Sequence, residues 1–317
     1  MNAPTRNRPV DDPRNGPVML RRDLLASGMS DKHIDKLVRQ GALARVRHGA
    51  YTQPAIWQGL DDVGRFLLRG RAVVASARTP SLLSHTSAVA EYGGPTWGLS
   101  LDRVHTTRTD GLSGRRCADV TQHRGAVLLE DVGYVNGLPV TSPARAALEC
   151  TLLGHTAAAL CVVNFFLFTG MVTEKELQIR AVEMEQWTNS MVTDLVLRLA
   201  NPLIESVGET RFDHFCFREG IPRPIAQKEI KDEHGNVKYR VDFAWPEYGV
   251  FLEFDGLVKY GRLLRPGETA SDAVVRDRLR EDDIREITGW RCIRITWADL
   301  ADPVRLARRI EKFLGLV

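Results

Sequence analysis

The sequence has few cysteines, no long apolar run and little net charge. Its five cysteines among 317 residues lack the C-x-x-C spacing of a zinc ribbon and do not form the pattern of a disulfide scaffold. Scattered thiols in odd number are typical of a reducing compartment, so we expect a cytoplasmic protein. The most apolar stretch, TAAALCVVNFFLFTG, is too short and too polar to cross a bilayer and predicts a buried helix. The polar N-terminus predicts no signal peptide, and we expect no membrane partner.

The charge is unevenly distributed along the chain. The net charge is +3, but the first 55 residues hold ten Lys and Arg against five Asp and Glu. A basic module of this size favours an anionic partner, nucleic acid first, although a solvated surface would have the same composition. The chain is long enough for two or three domains.

Residues 18–55 have the pattern of a helix-turn-helix followed by a wing. A stripe of leucines predicts a first helix that ends at Gly28, and Ser30 is a good N-cap for a second helix. The segment ALARVRHGAYT then predicts two short strands around a turn. Residues 1–17 are polar and rich in proline, which predicts a flexible tail.

The second helix and the wing carry the basic side chains of this module. In a DNA complex the second helix would enter the major groove, and the wing would contact the backbone. The expected DNA-binding residues are Lys32, His33, Lys36 and Arg39 on the helix and Arg45, Arg47 and His48 in the wing. The alternative is a helical hairpin that packs on the next domain without touching DNA.

The string GALARVRHGAYT resembles the winged-helix module of AbiEi-type antitoxins from type IV toxin–antitoxin systems. The strings LSHTSAVAEYGGPTWGLSLDRVHTT and GLPVTSPARAALECTLLG are similar to the second domain of that family. The resemblance implies a DNA-binding regulator whose partner is a cognate toxin or a second copy of itself. The usual first helix of this module would fall within residues 1–17, which are too polar to supply it.

Residues 56–195 predict an α+β middle domain. RAVVASA and DRVHTT have the pattern of strands, and SPARAALECTLLG predicts a helix with Ser142 at its N-cap. Ser84 and His85 suggest a nucleophile and its base, but no G-x-S-x-G motif and no identifiable acid accompany them. The start of a helix is the preferred interpretation of this segment.

Residues 196–317 predict elements in the order α-β-β-β-α-β. This order, the string VDFAWPEYGVFLEFDG and the string GWRCIRITWADL resemble the PD-(D/E)xK nuclease superfamily, in particular its very-short-patch-repair-like (DUF559-type) endonucleases. The expected fold class is therefore α+β multidomain. It comprises an N-terminal winged helix, an α+β middle domain and a C-terminal αβββαβ restriction-endonuclease-like domain.

Acidic residues of the C-terminal domain suggest a metal site. Asp242 and Glu253 lie on neighbouring predicted strands, and Asp255 shares the face of Glu253. Because hard cations prefer carboxylate oxygens, we expect these three to bind Mg²⁺ or Mn²⁺, with Glu205 assisting from the preceding helix. The resemblance implies a lysine two residues after the second acid. Asp255 occupies that position, and Lys259 is the expected replacement.

Each of these acids also has an ordinary structural interpretation, as a turn signal, a hairpin cap or a salt-bridge partner. Two functions therefore stay open. The first is a Mg²⁺-dependent endonuclease that binds DNA in phage defence or in a restriction-like or toxin–antitoxin-like system. The second is a non-catalytic antitoxin-like repressor with a degenerate nuclease fold. A toxin-binding protein without DNA contact is disfavoured by the basic helix and wing.

Overall fold

The computed structural model describes residues 7–112, 114, 116–117, 119–187, 190–256 and 269–317. The chain divides into two units, one ending at Ala200 and the other beginning at Asn201. The sequence predicted the winged helix and the middle domain as separate, whereas here both belong to the first unit. Helices and several sheets occur in both units, in agreement with an α+β multidomain class.

The first unit begins with the expected helix-turn-helix and wing. These elements are β1 (Met19–Leu20), α1 (Arg21–Ala26), α2 (Asp31–Arg39), β2 (Ala44–Arg47) and β3 (Ala50–Thr52). Ser30 caps α2, since its Oγ accepts the backbone N–H of His33 at 3.3 Å. Strand β3 lies between β1 and β2, and Gly49 makes the wing turn with a φ of +73°. Glycine adopts this left-handed conformation without strain.

Residues 7–17 are bound to the first unit, which corrects the expectation of a flexible tail for this segment. Arg8 forms an ion pair with the buried carboxylate of Glu91 at 2.6 Å. The backbone N–H of Arg8 also donates to Asn136 Oδ1 at 2.7 Å. The composition predicted disorder because the segment has no apolar stripe, but polar contacts hold it instead. The remainder of the expected tail lies outside the described residues.

The rest of the first unit is a sheet packed against helices. Its strands are β4 (Ser81–Leu83), β5 (Val104–Arg108), β6 (Val120–His123), β7 (Val132–Val135) and β8 (Leu138–Thr141). Its helices are α3 (Pro54–Gly59), α4 (Asp62–Ser76), α5 (His85–Glu91), α6 (Pro143–Thr151), α7 (Thr156–Phe168), α8 (Glu174–Glu183) and α9 (Ser190–Leu199). The strand order is β6-β5-β4-β8-β7, and α7 contributes more residues to the core on this sheet than α5 or α6 does.

The segment RAVVASA is the end of helix α4, so the predicted strand was wrong. Two adjacent valines favour a strand in isolation. However, the buried positions Phe66, Gly70 and Val73 recur with helical spacing, and Asp61 caps the helix by accepting the N–H of Gly64 at 2.7 Å. Strand β5 and helices α6 and α7 form where the sequence predicted them. Among the described residues, no helix is long and apolar enough to cross a membrane.

The second unit has the element order predicted from its sequence, with one more helix at its end. Its elements are α10 (Val207–Glu219), β9 (Ile225–Lys231), β10 (Val237–Trp245), β11 (Val250–Asp255), α11 (Ala270–Thr288), β12 (Arg291–Thr296) and α12 (Pro303–Leu314). The strand order is β12-β11-β10-β9, with β11 parallel to β12 and the other pairs antiparallel. Helices α10 and α12 share one core with the sheet, and α11 packs in another.

Gly208 allows α10 to lie directly on β11. A Cβ at this position would stand 2.3 Å from Cε1 of Phe254, which is far inside van der Waals contact. We expect Gly208→Ala to lower the free energy of unfolding of the second unit by about 1–3 kcal/mol, because the helix or the ring must shift. Urea denaturation followed by tryptophan fluorescence measures this change.

Gly59→Ala is the control for this substitution. A Cβ at Gly59 would meet open space in the described part of the chain. An equal loss of stability in Gly59→Ala and Gly208→Ala would contradict the close-approach explanation.

Candidate nucleic-acid interface and carboxylate cluster

Helix α2 carries its basic side chains on its exposed surface. Ile34 is buried against α1 and β3, and Val38 is half-buried in the same cluster. Lys32, Lys36 and Arg39 are exposed and have the spacing i, i+4, i+7, so they lie along one face of the helix. His33 is also exposed. The four α2 residues expected to bind DNA are therefore accessible to a ligand.

The wing adds two exposed basic residues, Arg45 and His48. Arg45 Nη2 lies 3.7 Å from Asp35 Oδ1, an exposed ion pair that contributes little to stability. We define the basic face as Lys32, His33, Lys36, Arg39, Arg45 and His48.

Arg47 does not belong to the basic face, although the sequence predicted it as a DNA contact. Its Nε and Nη2 donate to the carboxylate of Asp119 at 2.7 and 3.1 Å, and its Nη1 donates to Ser76 Oγ at 3.0 Å. The pairing of β2 with β3 shifts register between Arg45 and Arg47. The regular alternation of side chains between the two faces of the strand is therefore interrupted there. The guanidinium of Arg47 joins the wing to the rest of the first unit.

Arg47→Ala should therefore destabilise the first unit. We expect a loss of about 1–2 kcal/mol, because two charge-assisted hydrogen bonds to a half-buried carboxylate are removed. Thermal denaturation measures the change, and Arg39→Ala is the control because it removes a guanidinium from the exposed basic face. A melting temperature lowered equally by both substitutions would contradict the structural role of Arg47.

In the second unit, Asp242 lies where strand β10 is irregular. Val241 packs in the hydrophobic cluster to which α11 contributes, whereas Phe243 packs in the cluster to which α10 and α12 contribute. Side chains two residues apart in a regular strand share a face, so the strand is distorted at Asp242. Gln227 lies opposite, between the paired residues of β9, and has a φ of +50°. A non-glycine residue seldom adopts this conformation without support from its surroundings.

Polar groups gather at this irregularity. Asp242 Oδ2 accepts the backbone N–H of Phe254 at 2.8 Å. The buried carboxylate of Glu209 accepts Ser206 Oγ–H at 2.6 Å and Gln227 Nε2–H at 2.8 Å. Burial raises the pKa of Glu209, and the nearby charge of Asp242 raises that pKa further.

Glu205 lies outside this group, although the sequence placed it in the site. It is exposed and forms an ion pair with Arg240 of β10. Glu209 takes the inner position and accepts the backbone N–H of Glu205 at 3.2 Å. The signal that separates the two acids is Ser206, the N-cap of α10. It places Glu209 at the third helical position, as in a capping box, and leaves Glu205 before the helix.

The acids of β11 are held by arginines. Glu253 is buried and accepts Arg280 Nη1–H at 2.8 Å. Asp255 lies 3.2 Å from Arg294 Nη1, which also contacts Asp277 at 2.7 Å. These ion pairs explain how a hydrophobic strand can carry two carboxylates.

Asp242, Glu253 and Asp255 do not form a three-ligand cluster. Among the residues that the structure describes, one group of three His, Cys, Asp or Glu side chains has its ligand atoms within 4.8 Å of one another, and that group consists of histidines of the first unit. The pairing of β10 with β11 ends at Phe243 opposite Leu252, and Asp242 accepts the backbone N–H of Phe254, so Asp242 and Glu253 lie on adjacent strands. Lys259 lies outside the described residues.

Ser84 and His85 are in contact but are not arranged for nucleophilic catalysis. His85 Nδ1 lies 3.1 Å from Ser84 Oγ and 3.5 Å from Glu149 Oε2. A catalytic histidine needs the nucleophile on one ring nitrogen and the acid on the other, whereas here both face Nδ1. Ser84 is also fully buried and stands at the N-cap of α5. The segment is the start of a helix, as preferred from the sequence.

Comparison with known proteins bears on the N-terminal module. Residues 13–52 match the family model of the AbiEi antitoxin transcriptional regulator. Over this module the chain is similar to AbiEi antitoxins. Two uncharacterized proteins of Mycobacterium tuberculosis, from strains CDC 1551 / Oshkosh and ATCC 25618 / H37Rv, are each 28% identical over 292 residues. The alignments cover 90% of this chain and 97% of each relative, so the similarity extends through both units.

Proposed function

We propose that the protein is a DNA-binding transcriptional regulator of the toxin–antitoxin type. The basic face carries this proposal, because its six side chains are exposed on α2 and the wing within the segment that matches AbiEi regulators. Basic residues in these positions of a winged helix-turn-helix bind phosphates and base edges. The family likeness supports a cognate toxin, or a second copy of the chain, as the protein partner.

Of the two acids of α2, Asp35 is paired with one member of the basic face, Arg45. Asp31 is paired with Arg21 at 2.5 Å. Lys32, Lys36 and Arg39 form no ion pair with an acid within the described part of the chain. Their charges are therefore available to phosphates, and binding that uses several such contacts depends strongly on salt.

Lys36→Ala and Arg39→Ala should each weaken binding to duplex DNA from the promoter region of the protein's own gene. Each removes one phosphate contact, so the slope of log K against log salt should fall by about 1 and the affinity at low salt by roughly tenfold. Fluorescence anisotropy at a series of salt concentrations measures both quantities.

Lys175→Ala is the control for this pair, because it removes the same charge from an exposed position on α8. If both α2 variants bind duplex DNA with the affinity and the salt slope of the unmodified chain, the proposal is contradicted. An equal effect of Lys175→Ala would show that net charge, rather than the basic face, determines binding.

A second candidate function is metal-dependent cleavage of nucleic acid by the second unit. It is supported by the α-β-β-β-α-β order and by the location of Asp242 and Glu253 on the adjacent strands β10 and β11. Two carboxylates are ligands that suit Mg²⁺ or Mn²⁺. Asp255 is paired with Arg294 and Glu253 with Arg280, so a cation bound by either acid would replace an arginine as its partner.

In this candidate mechanism Asp242 and Glu253 would hold the cation, which supplies charge stabilisation to a phosphate. Glu209 replaces Glu205 as the assisting acid because it lies beside Asp242. Its raised pKa lets it hold a proton at that point more readily than an exposed glutamate does. The role of Lys259 in positioning the nucleophile stays a prediction. Such an activity would suit phage defence or a restriction-like system.

The purified full-length chain should then cut DNA in the presence of Mg²⁺ or Mn²⁺. Asp242→Asn and Glu253→Gln should each lower the cleavage rate by about 100-fold or more, because each removes a charged cation ligand. Cleavage of supercoiled plasmid measures the rate, and Glu247→Gln is the control because Glu247 is exposed and lies in the turn after β10. Tight binding of duplex DNA without cleavage under either metal would contradict this candidate and leave the regulator proposal intact.

A further inference from the structure

Three histidines from distant parts of the chain meet in the first unit. His85 begins α5, His105 lies on β5 and His123 ends β6. One nitrogen from each ring lies within 4.8 Å of the other two. His105 Nδ1 is 2.9 Å from His123 Nε2, and the rings of His85 and His123 stack with centroids 3.7 Å apart.

The sheet brings two of these rings together. Strands β5 and β6 are parallel, with Thr107 beside His123. His105 is two residues before Thr107, so its side chain projects from the same face of the sheet as those of Thr107 and His123. His105 and His123 are therefore diagonal neighbours on that face. This face is where α5 starts, since the ring of His85 lies with its centroid 5.4 Å from that of His105.

His85 is held in place by a buried carboxylate. Its φ is +51°, a conformation that costs a non-glycine residue free energy and persists only with support. Its backbone N–H donates to Glu149 Oε2 at 3.0 Å, while its Nδ1 faces Ser84 Oγ and the same carboxylate oxygen. Metal-binding histidines typically have their second nitrogen on a carboxylate or another oxygen. In this arrangement Nε2 is the ring nitrogen of His85 that would bind a metal.

A neutral imidazole has the lone pair that a metal requires. One ring of the His105–His123 pair donates the hydrogen bond between them. When both nitrogens bind an ion, that ring changes tautomer, and its proton moves to its other nitrogen.

A cavity of about 630 Å³ lies beside His85 and His123 and gives room for an ion and a further ligand. Arg145 lines the same cavity. Its guanidinium is paired with Asp131 at 2.6 Å and with Glu149 at 2.9 Å, so the positive charge near the histidines is balanced. Water or a small anion can therefore complete the coordination.

We propose that His85, His105 and His123 bind one divalent transition-metal ion, with Zn²⁺ as the expected occupant. Imidazole nitrogens suit Zn²⁺ and its neighbours, whereas Mg²⁺ and Ca²⁺ prefer oxygen. Three histidines with an open fourth position are a frequent zinc ligand set. This site is independent of the basic face and of the acids of the second unit, and it stands whichever function those groups have.

Calorimetric titration of the chelator-treated full-length chain tests the proposal. We expect one Zn²⁺ per chain with a micromolar or tighter Kd. His105→Gln and His123→Gln should each weaken binding by about 100-fold or more, because each leaves two histidine ligands. His155→Gln removes an exposed histidine outside the cluster, and Cys117→Ser removes the exposed thiol, so both should bind like the unmodified chain.

Two results would overturn the proposal. The first is the failure of the unmodified chain to bind Zn²⁺ or Co²⁺. The second is unchanged affinity in both histidine variants. Circular dichroism of the metal-free variants checks that they fold. If they do not fold, X-ray absorption at the zinc edge of the loaded, unmodified chain decides the matter. Three imidazole nitrogens are expected, and a shell containing sulfur or lacking imidazole would contradict the assignment.

Discussion

The buried carboxylate of Glu149 is the interaction on which the arrangement of the first unit depends. Its Oε1 accepts Arg145 Nε–H at 2.9 Å, and its Oε2 accepts Thr141 Oγ1–H at 3.1 Å and the His85 backbone N–H at 3.0 Å. A carboxylate removed from water is strongly destabilising unless its lone pairs are satisfied. Helices α5 and α6 and strand β8 must therefore meet in the one geometry that supplies these donors. The left-handed backbone of His85 is tolerated because the same carboxylate holds it.

The second unit satisfies its buried acids in two different ways. Glu253 is paired with a cation, Arg280, whereas Glu209 receives hydrogen bonds from two neutral donors, Ser206 and Gln227. A cationic partner favours the ionised carboxylate. Neutral donors offset less of the free-energy cost of burying the charged carboxylate, so the pKa of Glu209 rises. Glu209 therefore combines burial, a perturbed pKa and a neighbouring carboxylate, that of Asp242, whereas the sequence predicted Glu205 as the assisting acid.

Short-range signals predicted elements, and long-range contacts decided the sites. Ser30 and the glycine of the wing turn predicted the local elements of residues 19–52, because caps and left-handed turns act within a few residues. Arg47 and Glu205 were placed wrongly because their partners, Asp119 and Arg240, lie 72 and 35 positions away in the chain. The histidine cluster was missed for the same reason, since its three members occupy separate elements. The winged helix and the middle domain likewise belong to one unit because of contacts between distant residues, and such contacts have no local sequence signature.

In the proposed regulator these long-range contacts would also determine how the basic face meets DNA. A recognition module on a flexible linker must be ordered on binding, which reduces the net affinity. Here Arg22 donates to the carbonyl of Ala75 at 2.9 Å and Arg47 donates to Asp119 at 2.7 Å, so α1 and the wing are both attached to the rest of the unit. The segment 7–17 is attached as well. The basic face is therefore oriented before DNA arrives. In the proposed complex the backbone of the module would adjust little, so the sequence-dependent shape and deformability of the DNA would contribute to the fit.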